Sequence, residues 1–173
     1  MVVSERVDAL RALMKEKKID MYFIPSDDDH MSEYVADHYR CRAYISGFTW
    51  SAGMVIVTQE EAGLWTDGRY FVQAENQLKG SGIKLFKMRQ EGVPTIHEYM
   101  RDNLPENGIL GFDGKVVNVR AAKSYERAIK AKRGTIKLDE DLVGMIWKDR
   151  PSMPKEKTYL LKKNITGMKT SYK

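Results

Sequence analysis

Leu64-Trp65-Thr66-Asp67-Gly68-Arg69-Tyr70-Phe71 is the stretch on which the fold turns. It begins inside an apolar run at 62–65 and passes within a few residues into a helical pattern, with Phe71, Ala74 and Leu78 on one face. Asp67 has the short carboxylate that caps free amides at a helix start, and Gly68 relieves a tight strand-to-helix turn. Just upstream, 54–57 is a second apolar run, separated from 62–65 by the polar residues 58–61, so the two are expected to form an antiparallel hairpin.

Outward from this hairpin, helical and strand patterns alternate. Toward the start, Val7, Leu10, Leu13 and Met14 recur at helical spacing after Ser4, whose hydroxyl is expected to cap that helix. Residues 21–24 are an apolar strand ended by Pro25, followed by the acidic Asp27-Asp28-Asp29. The polar and aromatic stretch 31–44 predicts one or two short helices before Ser46-Gly47-Phe48-Thr49-Trp50-Ser51-Ala52-Gly53 breaks the pattern. Downstream, 83–88 reads as a strand, 95–103 as a helix and 109–112 as another buried strand. Asn118 caps a longer helix with Ala122, Tyr125 and Ile129 inward and Arg120, Lys123, Arg127 and Lys130 outward, and 136–138 adds a last strand. This alternation predicts an α/β domain, a mixed and mostly parallel sheet with helices on both faces. Pro151 and Pro154 mark a boundary, with one domain expected over 1–151, and a linker plus the start of a second domain over 152–173, where 158–163 has a strand-like pattern.

Composition narrows the class. Of 173 residues, 42% are hydrophobic and 31% charged, the balance of a soluble globular chain. No apolar run is long enough to span a bilayer, and the first residues lack the basic and apolar blocks of a secretory signal, so no membrane partner is expected. Cys41 is the only cysteine, which makes an internal disulfide impossible and the cytoplasm the expected location. The net charge of +5 is concentrated at one end. From Lys148 onward there are eight basic and two acidic residues, against 21 and 22 before it, so a neutral body argues against a nucleic-acid partner.

Several constellations invite a chemical reading. Asp27, Asp28, Asp29, His30 and Glu33 could supply oxygen ligands to a hard cation, but the spacing is compressed and the glycine of a calcium loop is absent. The expected role is an acidic loop capping the following helix. His30, His38 and His97 form no i, i+4 pair of the zinc-hydrolase kind, and no metal site is expected in this chain. Cys41 lies between Arg40 and Arg42, charges that would lower its pKa, yet no base or oxyanion signature accompanies it, so a plain buried or half-buried thiol is expected. Residues 47–53 lack both phosphate-loop patterns, and Phe48 and Trp50 are expected to pack on the domain's own core. Arg69 has two readings: pairing with a surface carboxylate, or offering a planar fork to a peptide carbonyl or carboxylate. Spacing leaves both open.

Ile24-Pro25-Ser26, Asp29-His30, Ser32-Glu33-Tyr34, Tyr44-Ile45-Ser46-Gly47-Phe48, Ser51-Ala52-Gly53 and the stretch from Leu64 to Phe71 occur in an order that resembles the first domain of three-domain Xaa-Pro aminopeptidases (aminopeptidase P, metallopeptidase family M24). Leu142-Val143 and Ile146-Trp147-Lys148-Asp149-Arg150-Pro151 resemble the end of that domain. The resemblance implies a creatinase/prolidase N-terminal fold, three layers with a ribonuclease H-like motif. It implies a parent enzyme that removes the residue preceding proline, using two manganese ions held in a carboxy-terminal domain whose ligands are not in this chain. On that likeness this chain carries no catalytic residue and no cofactor of its own, and Arg69 is its substrate-binding residue. The implied partners are a peptide with proline second, the remaining two domains and a second copy in a full-length homodimer. One departure is Thr49-Trp50, which puts a large ring where glycine is common in the family. The alternative is a peptide- or protein-binding module of a catalytically inactive relative. A nuclease would need carboxylates on the first strand, and 21–24 has none.

Overall fold

The sheet grows outward from β1 (Met21–Ile24), whose four residues are all buried. A strand covered on both faces belongs at the centre of a sheet. β1 pairs antiparallel with β2 (Met54–Thr58) on one side and parallel with β5 (Ile109–Gly111) on the other. β2 turns back antiparallel into β3 (Ala62–Thr66), with Val55 opposite Leu64, which is the hairpin expected from the sequence. β3 then pairs parallel with β4 (Lys84–Lys87), and β5 parallel with β6 (Thr135–Lys137). In this computed structural model, which describes residues 1–172, the strand order is β4-β3-β2-β1-β5-β6 and the sheet is mixed and mostly parallel.

Helices cover both faces, and the strand alternation sorts side chains between them. Tyr22 and Ile24 of β1 join Val7, Leu10 and Met14 of α1 (Val3–Glu16), Ile45 of α2 (Cys41–Ser46), Ala74 and Leu78 of α3 (Phe71–Leu78), and Leu142 and Val143 of α6 (Leu142–Ile146). Met21 and Phe23 face the other way, onto Ile96, Tyr99 and Met100 of α4 (Ile96–Asn103) and Tyr125 and Ile129 of α5 (Val119–Ile129). The caps follow the chemistry of their residues. Asn118 accepts from the Ala121 amide at 2.9 Å, and Thr95 and Glu98 exchange bonds across the first turn of α4.

Two expectations need correction. Ser4 is not the cap of α1, because the helix already begins at Val3 and the Glu5 carboxylate reaches back to the Val2 amide at 3.0 Å. Residues 158–163 form no strand: the chain is extended and exposed there, with a short helical turn, α7 (Lys163–Thr166), beginning at its end. A strand needs a neighbour for its backbone groups, and no strand pairs with this segment among the described residues.

The decisive stretch also explains one glycine. Trp65 and Phe86 stack at 4.0 Å between ring centroids and 3° between planes, directly over Gly63 on the paired strands. A Cβ at Gly63 would stand 2.5 Å from Phe86 and 2.9 Å from Trp65. Gly63→Ala should therefore destabilise the domain by about 1–3 kcal/mol, the usual cost of overpacking a filled core. Urea denaturation followed by circular dichroism measures this, and an unchanged midpoint would show that the stack is not a constraint.

Candidate functional site

β1 and β3 both end on the same side of the sheet, and the antiparallel β2 begins there. The segments that leave these ends, Pro25-Ser26-Asp27, residues 47–53 and Asp67-Gly68-Arg69, gather around an open cleft of about 660 Å³. Ligands in open α/β sheets sit beyond the carboxyl ends of strands, and this cleft has that position.

Local bonds fix its walls. α2 ends at Gly47, whose φ of 71° is the left-handed value a helix exit commonly takes. The turn sends Phe48 into the core, where it is fully buried. Arg42 on α2 is also buried, and its guanidinium donates to Ser26 Oγ at 2.6 Å, to the Phe48 carbonyl at 2.6 Å and to the Trp50 carbonyl. Ser26 Oγ in turn donates to the Gly53 carbonyl, and Thr66 Oγ1 donates to the Ala52 carbonyl at 2.7 Å. Burial pushes the Arg42 pKa down to about 10, which still leaves it charged at neutral pH.

Arg69 stands at the other wall. Asp67 accepts from the Arg69 amide at 3.0 Å, which is the predicted capping bond, here at the head of a short 3-10 turn leading into α3. The same carboxylate receives the guanidinium in a fork, Nε to Oδ1 at 2.9 Å and Nη2 to Oδ2 at 2.8 Å. The Arg69 side chain bonds hold the Asp67 carboxyl below the ordinary carboxylate range, and Asp67 raises the Arg69 pKa. The Arg69 side chain remains 70% exposed and lines the cleft, with its guanidinium 5.0 Å from the centroid of the Tyr70 ring. Of the two sequence readings of Arg69, the pairing with a carboxylate is seen, and that carboxylate holds the guanidinium at the cleft.

Trp50 departs from expectation. Phe48 packs on the core, but Trp50 is 47% exposed, with its ring 5.7 Å from that of Tyr70. The Gly47 turn and the Arg42 bonds to two carbonyls leave these two side chains in different environments. Arg42 itself was missed by sequence reasoning beyond its charge beside Cys41. The available signal was helical spacing, since Arg42, Ile45 and Ser46 are the buried residues of α2.

The acidic loop also differs from expectation. Asp28 is buried and its Oδ1 accepts from the amides of His30 and Ser32, both at 2.9 Å, so it caps a turn of the loop rather than a helix. The Ser32 amide bond holds its pKa below the ordinary range. Asp28, Asp29 and His30 form the one group of metal-type donors found close together among the described residues. They do not fit a two-metal hydrolytic centre, because Asp28 is committed to backbone amides and Asp29 to His30 Nδ1 at 2.7 Å. Asp27 lines the cleft, and desolvation raises its pKa. His38 and His97 are elsewhere, bonded to the Pro151 carbonyl and Ser124.

Residues 6–145 match the family described as Creatinase/Prolidase N-terminal domain. The chain belongs to that family. It is 44% identical over 166 residues to a probable Xaa-Pro aminopeptidase P of Pyrenophora teres f. teres, a match covering 95% of this chain and 25% of the relative. It is 45% identical over 158 residues to aminopeptidase P2 of Arabidopsis thaliana, covering 88% and 22%. An X-prolyl aminopeptidase from Caenorhabditis elegans, described as a cytosolic enzyme with a di-nuclear active site, superposes with a TM-score of 0.88 at 34% identity, over 99% of this chain and 30% of that one. The N-terminal domain of the cytoplasmic peptidase PepQ from Mycobacterium tuberculosis superposes at 0.59 with 25% identity, over 82% and 98%. This chain of the creatinase/prolidase N-terminal family thus spans about a quarter of the length of the curated relatives it matches.

Cys41 gives a pH test of the cleft's surroundings. Burial pushes its thiol up to about 12, outweighing the lowering by Arg150, whose Nη2 lies 3.4 Å from Sγ. With its pKa raised this far, the thiol is overwhelmingly protonated at pH 8. The native chain should therefore resist a disulfide reagent at pH 8 and react promptly in urea. Stoichiometric modification of the native chain within minutes would contradict that burial.

Proposed function

We propose that this chain is the non-catalytic amino-terminal domain of a metal-dependent Xaa-Pro aminopeptidase, contributing to substrate access and binding. The parent enzyme removes the residue that precedes proline at the second position of a peptide, using two manganese ions held in a domain beyond this chain. Residues 1–151 act as the domain, and 152–173 lead into the next. The parent works in the cytoplasm as a homodimer. Two observations support the activity: the names borne by the relatives, and the di-nuclear centre described for the Caenorhabditis elegans enzyme.

The observation that carries a role in binding is Arg69, forked onto Asp67 at the cleft and still largely exposed. With Nε and one Nη2 hydrogen engaged, the remaining N–H groups can donate to a peptide carbonyl or carboxylate. Asp67 supplies orientation without neutralising that capacity. A lysine has one point charge and no planar fork, so it cannot hold Asp67 and a ligand in the same geometry.

In the full-length enzyme, Arg69→Ala should lower kcat/KM for an Xaa-Pro peptide by about tenfold to a hundredfold, the scale of a lost hydrogen bond to a charged group. Arg69→Lys should restore little of it. Unchanged kinetics in Arg69→Ala would end the binding role. If the wild-type enzyme with manganese releases no amino-terminal residue from such peptides, the aminopeptidase reading fails. The 173-residue chain alone should hydrolyse nothing, and turnover that survives repurification would refute its non-catalytic status.

A further inference from the structure

The cleft rim carries a large ring that neither core packing nor Arg69 accounts for. Trp50 is 47% exposed although it belongs to a loop whose backbone is held at several points. The strongest of those holds is unusual. Arg42 is 5% exposed, it makes no salt bridge to a carboxylate among the described residues, and burying a cation in that way is costly. Its three acceptors, Ser26 Oγ and the carbonyls of Phe48 and Trp50, all belong to segments that wall the cleft. A single guanidinium therefore spaces the Ser26 wall from the Trp50 wall.

The charges at the cleft are of both signs. Arg40, Arg42 and Arg69 line the cleft with Asp27 and Glu33, while Arg40 is paired with Asp37 at 3.0 Å and Arg69 with Asp67. Aromatic surface stands uncovered beside these charges: Trp50 and Tyr34, the latter 86% exposed, both line the cleft. Rings of this kind favour apolar and ring-bearing groups through face contact.

We propose that Trp50 is a specificity-determining residue of this cleft, its ring packing against an apolar side chain of the bound peptide, with Arg42 as the positioning residue that holds it there. This rests on the peptide-binding reading above.

The test compares Gly-Pro-Gly, Phe-Pro-Gly and Gly-Pro-Phe with the full-length enzyme and, for binding alone, by the emission of Trp50 in the 173-residue chain, taken as the difference from Trp50→Gly. At least one phenylalanine peptide should exceed Gly-Pro-Gly by about fivefold to tenfold in kcat/KM, and Trp50→Gly should collapse that ratio toward one. Arg42→Lys should shrink the ratio through KM and raise acrylamide quenching of Trp50 under conditions where circular dichroism shows the variant fully folded. A ratio that survives Trp50→Gly, or that is one in the wild type, overturns the proposal. If no peptide is cleaved but Trp50 emission still responds selectively to a phenylalanine peptide, the aminopeptidase reading falls and the recognition role stands. Absence of both hydrolysis and response sinks the two together.

Discussion

Burial of β1 on both faces obliges its backbone polar groups to find partners in the ladders with β2 and β5, because water cannot reach them. That obligation ends where Pro25, which has no amide hydrogen, follows the last residue. Ser26 and Asp27 then emerge beside the start of β2 and the end of β3, since an antiparallel neighbour begins where β1 stops. The cleft is a consequence of this arrangement. Its walls are three connecting segments brought to the same edge of one sheet, together with residues of the 32–43 stretch.

Two arginines serve this edge by opposite means. Arg42 is buried with no carboxylate partner among the described residues and is satisfied by a hydroxyl and two carbonyls, so its bonds fix backbone. Arg69 is exposed and oriented by a carboxylate two residues before it, so its remaining donors face outward. The difference follows from supporting chemistry. A cation surrounded by carbonyls inside a loop can only hold that loop, whereas a cation braced by its own helix cap can meet something from solvent. Position on the chain decides which: Arg42 lies on the inward face of α2, and Arg69 on the first turn after β3.

The elements were legible where burial imposes a period. Alternation along the strands and the helical spacing of Val7, Leu10 and Met14, or of Ala122, Tyr125 and Ile129, translated directly into the layers of the domain. Arg69 was legible as a candidate because its segment combines a strand end, a cap and a fork within six residues. Trp50 was not, since hydrophobicity alone sends both Phe48 and Trp50 inward, and what distinguishes them is backbone geometry after Gly47 and bonds from Arg42. The Ser4 cap failed for a related reason: a glutamate reaching back can satisfy the Val2 amide and let the helix begin two residues earlier. At 158–163 the apolar pattern had no ladder to join, and a strand is a property of a pair rather than of one segment.

α2 has six residues and carries more than its length suggests. From one side Arg42 reaches the cleft. From another, the Tyr44 ring stacks on Trp147 with centroids 4.5 Å apart, and Arg150 lies against Cys41 Sγ while bonding Asp141 and, at 2.7 Å, the His38 carbonyl. His38 Nδ1 closes the arrangement on the Pro151 carbonyl at 2.7 Å. The backbone position from which residues 152–172 depart is thus tied to the same short helix that spaces the cleft walls. The cleft walls and the start of the 152–172 segment are thus both fastened to one short helix packed in a filled core.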